Sequence, residues 1–194
     1  MKIGIDVDGV IFDAERAYRT SAEIFTLDVL EAKEDRLINK SEIGVDARMG
    51  WTEEQTRKWL NEYLLDIARN ANFMPGAIEV IKKLKEMGHK LYIVTARGGD
   101  FIEMKYITFD KFKEVNLEFD GYFFKAKDKG EICKANGIDI LIDDGLNHCK
   151  SACDKGIKAL YFRDVNIKKF NHELCKEVNN WGEIYKYFKL NVEE

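Results

Sequence analysis

Short apolar runs recur along the chain, and many of their residues are β-branched or aromatic. Five of these runs predict strands, at residues 2–7, 90–95, 119–124, 139–143 and 158–162. Between the later runs, apolar residues follow the helical period, which predicts helices at residues 76–87, 100–115, 129–136, 146–154 and 180–188. Strands that alternate with helices are typical of an α/β fold, with a Rossmann-like parallel sheet covered on both faces.

Residues 14–72 interrupt this alternation because they contain no convincing strand. Residues 14–32 have a helical pattern, and residues 52–71 have a stronger one that opens with the capping-box pair Thr52 and Gln55. The segment at 34–50 is mixed and charged, which indicates a loop with a short helix. We therefore expect a core at 1–13 and 73–194, and a small all-helical lid at 14–72 over the strand ends.

Two pairs of acids follow predicted strands: Asp6 with Asp8, and Asp143 with Asp144. In parallel sheets the carboxyl ends of the strands share one edge, so the pairs are expected to meet there. Two unit charges about 4 Å apart repel by roughly 4 kcal/mol at an effective dielectric constant near 20. A hard cation such as Mg²⁺ relieves this repulsion. The alternative is that one pair caps a turn and the other is a pair of solvated loop acids.

Composition narrows the possible partners. The chain has 194 residues, 45% of them apolar, and a formal net charge of −4, so a nucleic acid polymer is not an expected partner. No apolar run approaches about 18 residues, and the MKIGIDV start is not a signal peptide, so we expect a cytoplasmic protein without membrane contact.

Four motifs occur in order: DVDGV, IVTAR, a lysine in KDKGE, and LIDDG. Together they resemble the four ordered motifs of the haloacid dehalogenase-like (HAD) hydrolases, and the resemblance covers the whole predicted core. It implies a HAD fold in which the helical insert is a C1 cap. It also implies a phosphatase, which is a hydrolase of phosphoric monoesters, or a phosphomutase, since the family's ATPases and dehalogenases carry other residues at the position of Asp8.

The resemblance implies a role for each matched residue. Asp6 would attack phosphorus and form an aspartyl-phosphate, while Asp8 would protonate the leaving oxygen and then activate water. Thr95 would bind the phosphate oxygens. Lys129 would neutralise the phosphate, with Lys125 and Lys127 as competing candidates.

The same resemblance implies one metal ion and a substrate-binding set. Mg²⁺ would be held by the Asp6 side chain, the Asp8 backbone carbonyl and Asp143, with Asp144 as a water-mediated ligand. The residues assigned to substrate binding are Thr95, Ala96, Arg97, Lys129 and Trp51.

The helical C1 cap and the LIDD motif further resemble the 5'(3')-deoxyribonucleotidase branch, which suggests a nucleoside monophosphate as the substrate. That branch usually has Thr-Ser where this chain has Thr95-Ala96-Arg97, and its aromatic pair for the base is not obvious here. Trp51 is the first candidate for base stacking, with Tyr18 and Phe25, whereas Trp59 lies on an apolar helix stripe and is expected in the core. Three alternatives stay open. They are a phosphatase for another metabolite such as a sugar phosphate, a phosphotransferase, and a non-enzymatic binding domain on the same fold.

Overall fold

The computed structural model describes residues 1–33 and 44–191. Its strands are β1 (Lys2–Ile5), β2 (Lys90–Val94), β3 (Gly121–Phe123), β4 (Ile140–Asp143), β5 (Lys158–Phe162) and β6 (Cys175–Val178). They form one sheet in the order β3-β2-β1-β4-β5-β6, and every neighbouring pair is parallel. The predicted α/β fold with a parallel sheet is confirmed.

The helices are α1 (Ala14–Ile24), which continues as a π-helix at Phe25–Val29, then α2 (Val45–Met49), α3 (Glu53–Asn70), α4 (Ala77–Glu86), α5 (Glu103–Glu114), α6 (Lys129–Asn136), α7 (Leu146–Asp154) and α8 (Trp181–Asn191). All five predicted strands are present. The sequence pattern missed β6, whose residues CKEV include two charged side chains and are mostly half-buried or exposed. An edge strand of this kind lacks the continuous apolar run that marks a buried parallel strand.

The sheet is buried on both faces. Successive strand residues point to opposite sides, so each strand packs against one apolar cluster on each face. Ile140 and Ile142 face a large apolar cluster that includes Ile81 of α4 and Ile184 of α8. Leu141, between them, faces a second cluster with side chains of α6 and α7. This two-sided packing fixes the position of each strand along its axis. The carboxyl ends of the strands therefore lie at one edge of the sheet.

The helices of the lid pack around an apolar cluster of their own, which we call the lid cluster: Ala22, Phe25, Met49, Trp51 and Trp59. The predicted capping box opens α3, since Gln55 N donates to Thr52 Oγ1 at 3.3 Å and Thr52 N donates to Gln55 Oε1 at 3.0 Å. The short helix expected within residues 34–50 is α2. Residues 34–43 of that segment lie outside the described part of the chain.

The two chain crossings between core and lid lie side by side. Asp13 N donates to Asn72 O at 2.9 Å, and Met74 N donates to Ile11 O at 2.8 Å. These bonds run antiparallel and flank an isolated bridge between residues 12 and 73. The division into a core and a lid at 13/14 and 72/73 remains a prediction, and these paired crossings support it.

Candidate active site

A tight turn after β1 presents Asp6 and Asp8. Asp6 N donates to Ile142 O at 3.0 Å, which ties this end of β1 to β4. Gly9 has a φ of 74°, and a Cβ added there would lie 2.3 Å from Asp144 Oδ2. Both the left-handed backbone and the contact with Asp144 therefore require glycine at position 9. The turn brings the two acidic motifs together.

Lys129 bridges the two strand ends. Its Nζ lies 2.8 Å from Asp6 Oδ1 and 2.6 Å from Asp143 Oδ2, and the side chain is 2% exposed. Burial alone would lower the pKa of Lys129, but the two carboxylates outweigh it and hold this pKa above its ordinary value. Lys125 and Lys127 are exposed. Of the three candidate lysines, Lys129 is the one that the structure places among the acids.

The start of α6 is held by a network that fixes the position of Lys129. Asp128 is the N-cap and accepts from Glu131 N at 3.0 Å, from Ser151 Oγ at 2.6 Å and from Lys155 Nζ at 3.1 Å. These hydrogen bonds lower the pKa of Asp128 to about 2, and the bond from Ser151 has the largest effect. The N-cap therefore directly precedes Lys129, which is the first residue of α6 and enters the site.

Asp6, Asp143 and Asp144 form a buried group that we call the acid cluster, with one carboxylate oxygen of each within 4.8 Å of the others. Asp143 Oδ1 accepts from Gly145 N at 2.8 Å. Burial, with the charge of Asp143, raises the pKa of Asp6 to about 7 although Lys129 opposes the shift. Burial also raises the pKa of Asp144 well above its usual value, and within the described residues its Oδ2 has no hydrogen-bond partner.

Glu15, which belongs to none of the four sequence motifs, adjoins the acid cluster. It lies in the first turn of α1, is 8% exposed, and approaches Arg19 Nε at 3.8 Å. Burial raises its pKa to about 7, and Arg19 only partly offsets the effect. After burial, Glu15 is the main charge that raises the pKa of Asp144. The only sequence signal for Glu15 is its place at the beginning of the helix that follows DVDGV.

Asp8 turns its carboxylate away from the acid cluster. Its Oδ1 accepts from Arg97 Nη2 at 2.6 Å and from Tyr18 Oη at 3.1 Å, and its Oδ2 accepts from Arg97 Nε at 2.8 Å. Burial raises the pKa of Asp8, but the charge and hydrogen bonds of Arg97, together with Tyr18, outweigh it and lower this pKa. The proposed metal ligand from this residue is its backbone carbonyl, so the orientation of the side chain does not conflict with it.

The three residues that follow β2 differ in burial and in the groups that they contact. Thr95 is 1% exposed, and its Oγ1 accepts from Arg97 N at 3.3 Å. Ala96 is exposed and lines a cavity beside Asp8. Arg97 was expected to bind substrate, but its side chain is 1% exposed and all three guanidinium nitrogens donate to protein groups. The structure therefore joins Arg97 to Asp8.

A cavity of about 290 Å³, which we call the Asp8 cavity, opens between α3 and the loop after β2. Leu60 and Leu64 of α3 line one side, Phe101 and Met104 line another, and Asp8 reaches it from the strand end. An apolar cavity with few polar groups is the usual form of a small-molecule site. It is the natural place for the organic part of a substrate.

Trp51 does not line the Asp8 cavity. It is 9% exposed and belongs to the lid cluster, where its ring centroid lies 5.1 Å from that of Phe25 and 5.9 Å from that of Trp59. Its Nε1 donates to Thr26 Oγ1 at 3.2 Å. The indole is packed and hydrogen-bonded inside the lid, and Trp51 lines a separate cavity of about 450 Å³ with Leu60. Its assignment to substrate binding therefore stays a prediction. Trp59 is 3% exposed in the same cluster, as expected for a core residue.

A family model for haloacid dehalogenase-like hydrolases matches residues 3–147. The chain belongs to this family. The family prediction from the four motifs is thereby confirmed, and the protein is a hydrolase. No helix in the described ranges of this HAD hydrolase is long and apolar enough to cross a membrane.

Two kinds of relative accompany the family match. The HAD hydrolase is 29% identical over 145 residues to "Putative nucleotidase BH1399" of Halalkalibacterium halodurans, covering 74% of this chain and 69% of that protein. A predicted phosphatase from Clostridium acetobutylicum has a TM-score of 0.70 at 14% identity, with 97% of each chain covered. The haloacid dehalogenase-like protein SP0104 from Streptococcus pneumoniae has a TM-score of 0.66 at 18% identity, with 96% of this chain and 97% of that chain covered. These two solved structures share the fold.

Proposed function

We propose that this hydrolase is a Mg²⁺-dependent phosphomonoesterase that works through an aspartyl-phosphate on Asp6. The observation that carries the proposal is the arrangement at the end of β1. The Asp6 carboxylate lies 2.8 Å from the buried Lys129, and Asp8 reaches the adjoining cavity from two residues further on. A nucleophile beside a cation, with a proton carrier next to it, is the arrangement that two-step phosphoryl transfer requires.

In the first step a carboxylate oxygen of Asp6 bonds to phosphorus, and the bond from phosphorus to the ester oxygen breaks. Asp8 is ionised in the free protein because Arg97 outweighs the effect of burial and lowers its pKa. It therefore first takes up the proton of a monoanionic ester and then gives that proton to the leaving oxygen, and the alcohol leaves neutral. In the second step water attacks the phosphorus, Asp8 takes a proton from the water, and the bond from Asp6 to phosphorus breaks. Lys129, 2.6 Å from Asp143 and 2.8 Å from Asp6, keeps positive charge beside the phosphoryl group in both steps.

The residues present fit a bound Mg²⁺. Three carboxylates of the acid cluster converge within 4.8 Å, and Asp144 Oδ2 is buried without a hydrogen-bond partner in the described part of the chain. The donors are hard oxygens, as Mg²⁺ prefers. Asp6, Asp143 and Asp144, with the Asp8 carbonyl, would hold the ion. When bound, it would supply positive charge that offsets the carboxylates and the phosphate oxygens.

We further propose a nucleoside monophosphate as the substrate class. The name of the Halalkalibacterium halodurans relative supports a nucleotidase. The Asp8 cavity supports it independently, because its walls are largely apolar and the one arginine that lines it is already paired with Asp8. A second phosphate, as in a sugar bisphosphate, would find no unpaired cation among the described residues that line the cavity. A flat, uncharged nucleoside suits the cavity better.

The test is a screen of phosphate esters that measures released inorganic phosphate. The panel contains nucleoside monophosphates, sugar phosphates and 4-nitrophenyl phosphate, each with Mg²⁺ or with EDTA, and Asp6→Asn is the matched inactive control. We expect Mg²⁺-dependent release that is fastest from nucleotides. Faster release from sugar phosphates would contradict the nucleotide proposal alone. Formation of a new phosphate ester with an added alcohol, without release of inorganic phosphate, would indicate a phosphotransferase. No phosphoryl transfer under any condition would contradict the phosphomonoesterase.

A further inference from the structure

The carboxylate of Asp8 is almost fully occupied by donors from the protein. A carboxylate offers about four lone-pair sites, two on each oxygen. Arg97 Nη2 and Tyr18 Oη fill both sites on Oδ1, at 2.6 and 3.1 Å. Arg97 Nε fills one site on Oδ2, at 2.8 Å. When the donors of the described residues are counted, one site stays available for proton exchange, and it is on Oδ2.

The guanidinium of Arg97 is itself anchored. Its Nη1 donates to Thr108 Oγ1 at 2.8 Å, and Thr108 Oγ1 donates in turn to Met104 O at 2.7 Å, so the network ends on α5. The Phe12 ring centroid lies 5.1 Å from the guanidinium carbon. The paired, planar fork of an arginine fixes both the position and the plane of a carboxylate, which a lysine cannot do.

The donors come from both parts of the fold. Arg97 belongs to the loop after β2 in the core, whereas Tyr18 lies on α1 in the lid. The lid therefore fills the last acceptor site of Oδ1 with the Tyr18 hydroxyl, and the core holds Oδ2 through Arg97 Nε. The geometry of Asp8 depends on α1 being seated on the core.

We propose that Arg97 and Tyr18 are positioning residues that direct proton exchange to Oδ2 of Asp8. This rests on the proposed phosphomonoesterase function. In the first step the proton moves from Oδ2 to the leaving oxygen as the ester bond breaks, and in the second step a proton of the attacking water moves to Oδ2. Arg97 keeps its hydrogen bonds to Asp8 throughout and does not bind the substrate phosphate.

A pair of esters of similar size separates this role from a purely structural one. Benzyl phosphate releases an alkoxide unless it receives a proton, whereas 4-nitrophenyl phosphate releases a stable anion. General acid catalysis contributes about 10²–10⁴-fold. We expect Arg97→Gln to lower kcat/KM by about 10²-fold or more on benzyl phosphate and by less than about tenfold on 4-nitrophenyl phosphate. Tyr18→Phe should show a smaller difference in the same direction, with kcat/KM lowered about tenfold on benzyl phosphate and about twofold on 4-nitrophenyl phosphate.

Three further variants complete the experiment. Arg97→Lys keeps the charge without the two-pronged geometry and should stay close to Arg97→Gln on benzyl phosphate. Arg69→Gln and Tyr106→Phe change exposed residues of the same types and should match the wild type. Thermal melting shows which variants fold. If Arg97→Gln does not fold, the difference between the losses of Tyr18→Phe on the two esters tests the positioning role instead.

Equal losses on the two esters, or full recovery in Arg97→Lys, would overturn the positioning role while wild-type turnover leaves the phosphomonoesterase intact. A wild-type protein that hydrolyses neither these esters nor the panel above would overturn the proposed function and the positioning role with it.

Discussion

Asp6 and Asp8 are two residues apart at the end of one strand, yet their carboxylates lie in opposite electrostatic surroundings. Asp8 accepts three hydrogen bonds from Arg97 and Tyr18, and its pKa is lowered despite burial. Asp6 shares one lysine with Asp143, and burial raises its pKa to about 7. Arg97 balances the negative charge of Asp8. The single charge of Lys129 does not balance the carboxylates on the Asp6 side of the site.

The difference indicates what each side is built for. A carboxylate that exchanges protons must keep one geometry through the reaction, and fixed donors from the protein provide it. A group of carboxylates with too little positive charge binds a cation strongly, because the protein has left their repulsion in place. The same strand end thus combines a preformed proton carrier with a site that a metal ion completes.

The largest effect is expected from removing the nucleophile on the under-neutralised side. Asp6→Asn should lower kcat by about 10⁴-fold or more, since loss of a covalent nucleophile removes the whole two-step route. Its melting temperature should equal or exceed that of the wild type, because one repelling acid is gone. Asp66→Asn, at an exposed position on α3, is the control. Substantial residual turnover in pure Asp6→Asn would remove Asp6 from the role.

Lys129→Met removes the cation that the protein does provide. Breaking a buried ion pair from one side costs about 3–5 kcal/mol, so the melting temperature in EDTA should fall sharply. Mg²⁺ should then stabilise this variant more than it stabilises the wild type, since the acids lack both cations. Lys127→Met changes an exposed lysine nearby and should have little effect. A Mg²⁺ response smaller than that of the wild type would contradict the proposed charge balance.

Glu15→Gln should stabilise the metal-free protein at high pH. The pKa of Glu15 is raised to about 7 by burial, against 4.5 ordinarily, so stability is lost as the pH rises between these values. In EDTA near pH 8 the variant should gain about 1–3 kcal/mol, and the gain should vanish near pH 4. Melting curves at both pH values test this, with the exposed Glu86→Gln as control. A gain of equal size at both pH values would contradict it.

The smallest effect on catalysis is expected inside the lid, which meets the Asp8 side through Tyr18 and not through Trp51. Trp51→Phe keeps most of the packing in the lid cluster, so kcat/KM should change by less than about threefold on a nucleotide and on 4-nitrophenyl phosphate alike. Loss of a base-stacking partner would instead cost roughly tenfold to a hundredfold on the nucleotide alone. That selective loss would support Trp51 as a substrate-binding residue.

The strand ends could be predicted from the sequence because they depend on local pattern. Apolar runs located β1, β2 and β4, and parallel strands bring their carboxyl ends to one edge, so Asp6 and Asp143 were expected near one another. Lys129 was expected beside them only through the family resemblance. Partners chosen by side-chain packing could not be predicted. Arg97 was assigned to the substrate because nothing in its spacing indicates that it turns back to Asp8.

The lid was harder to interpret for the same physical reason. Its helices follow from apolar periodicity, but which face meets the core depends on how the lid sits on the sheet. Glu15 and Tyr18 lie three residues apart on α1 and both reach the site, whereas Trp51, the expected base-binding residue, packs inside the lid cluster. An aromatic residue near a loop gives no indication of which side it will occupy.

The most direct test of the charge comparison is a Mg²⁺ titration monitored by thermal melting of the wild type, Asp143→Asn and Asp8→Asn. A ligand that binds only the folded state stabilises it by about 2.7 kcal/mol at a hundredfold excess over Kd. We predict that Mg²⁺ raises the melting temperature of the wild type and of Asp8→Asn, and that Asp143→Asn loses most of the rise. An unchanged wild-type curve, or a rise lost equally in Asp8→Asn and Asp143→Asn, would contradict the assignment of the metal to the Asp6 side.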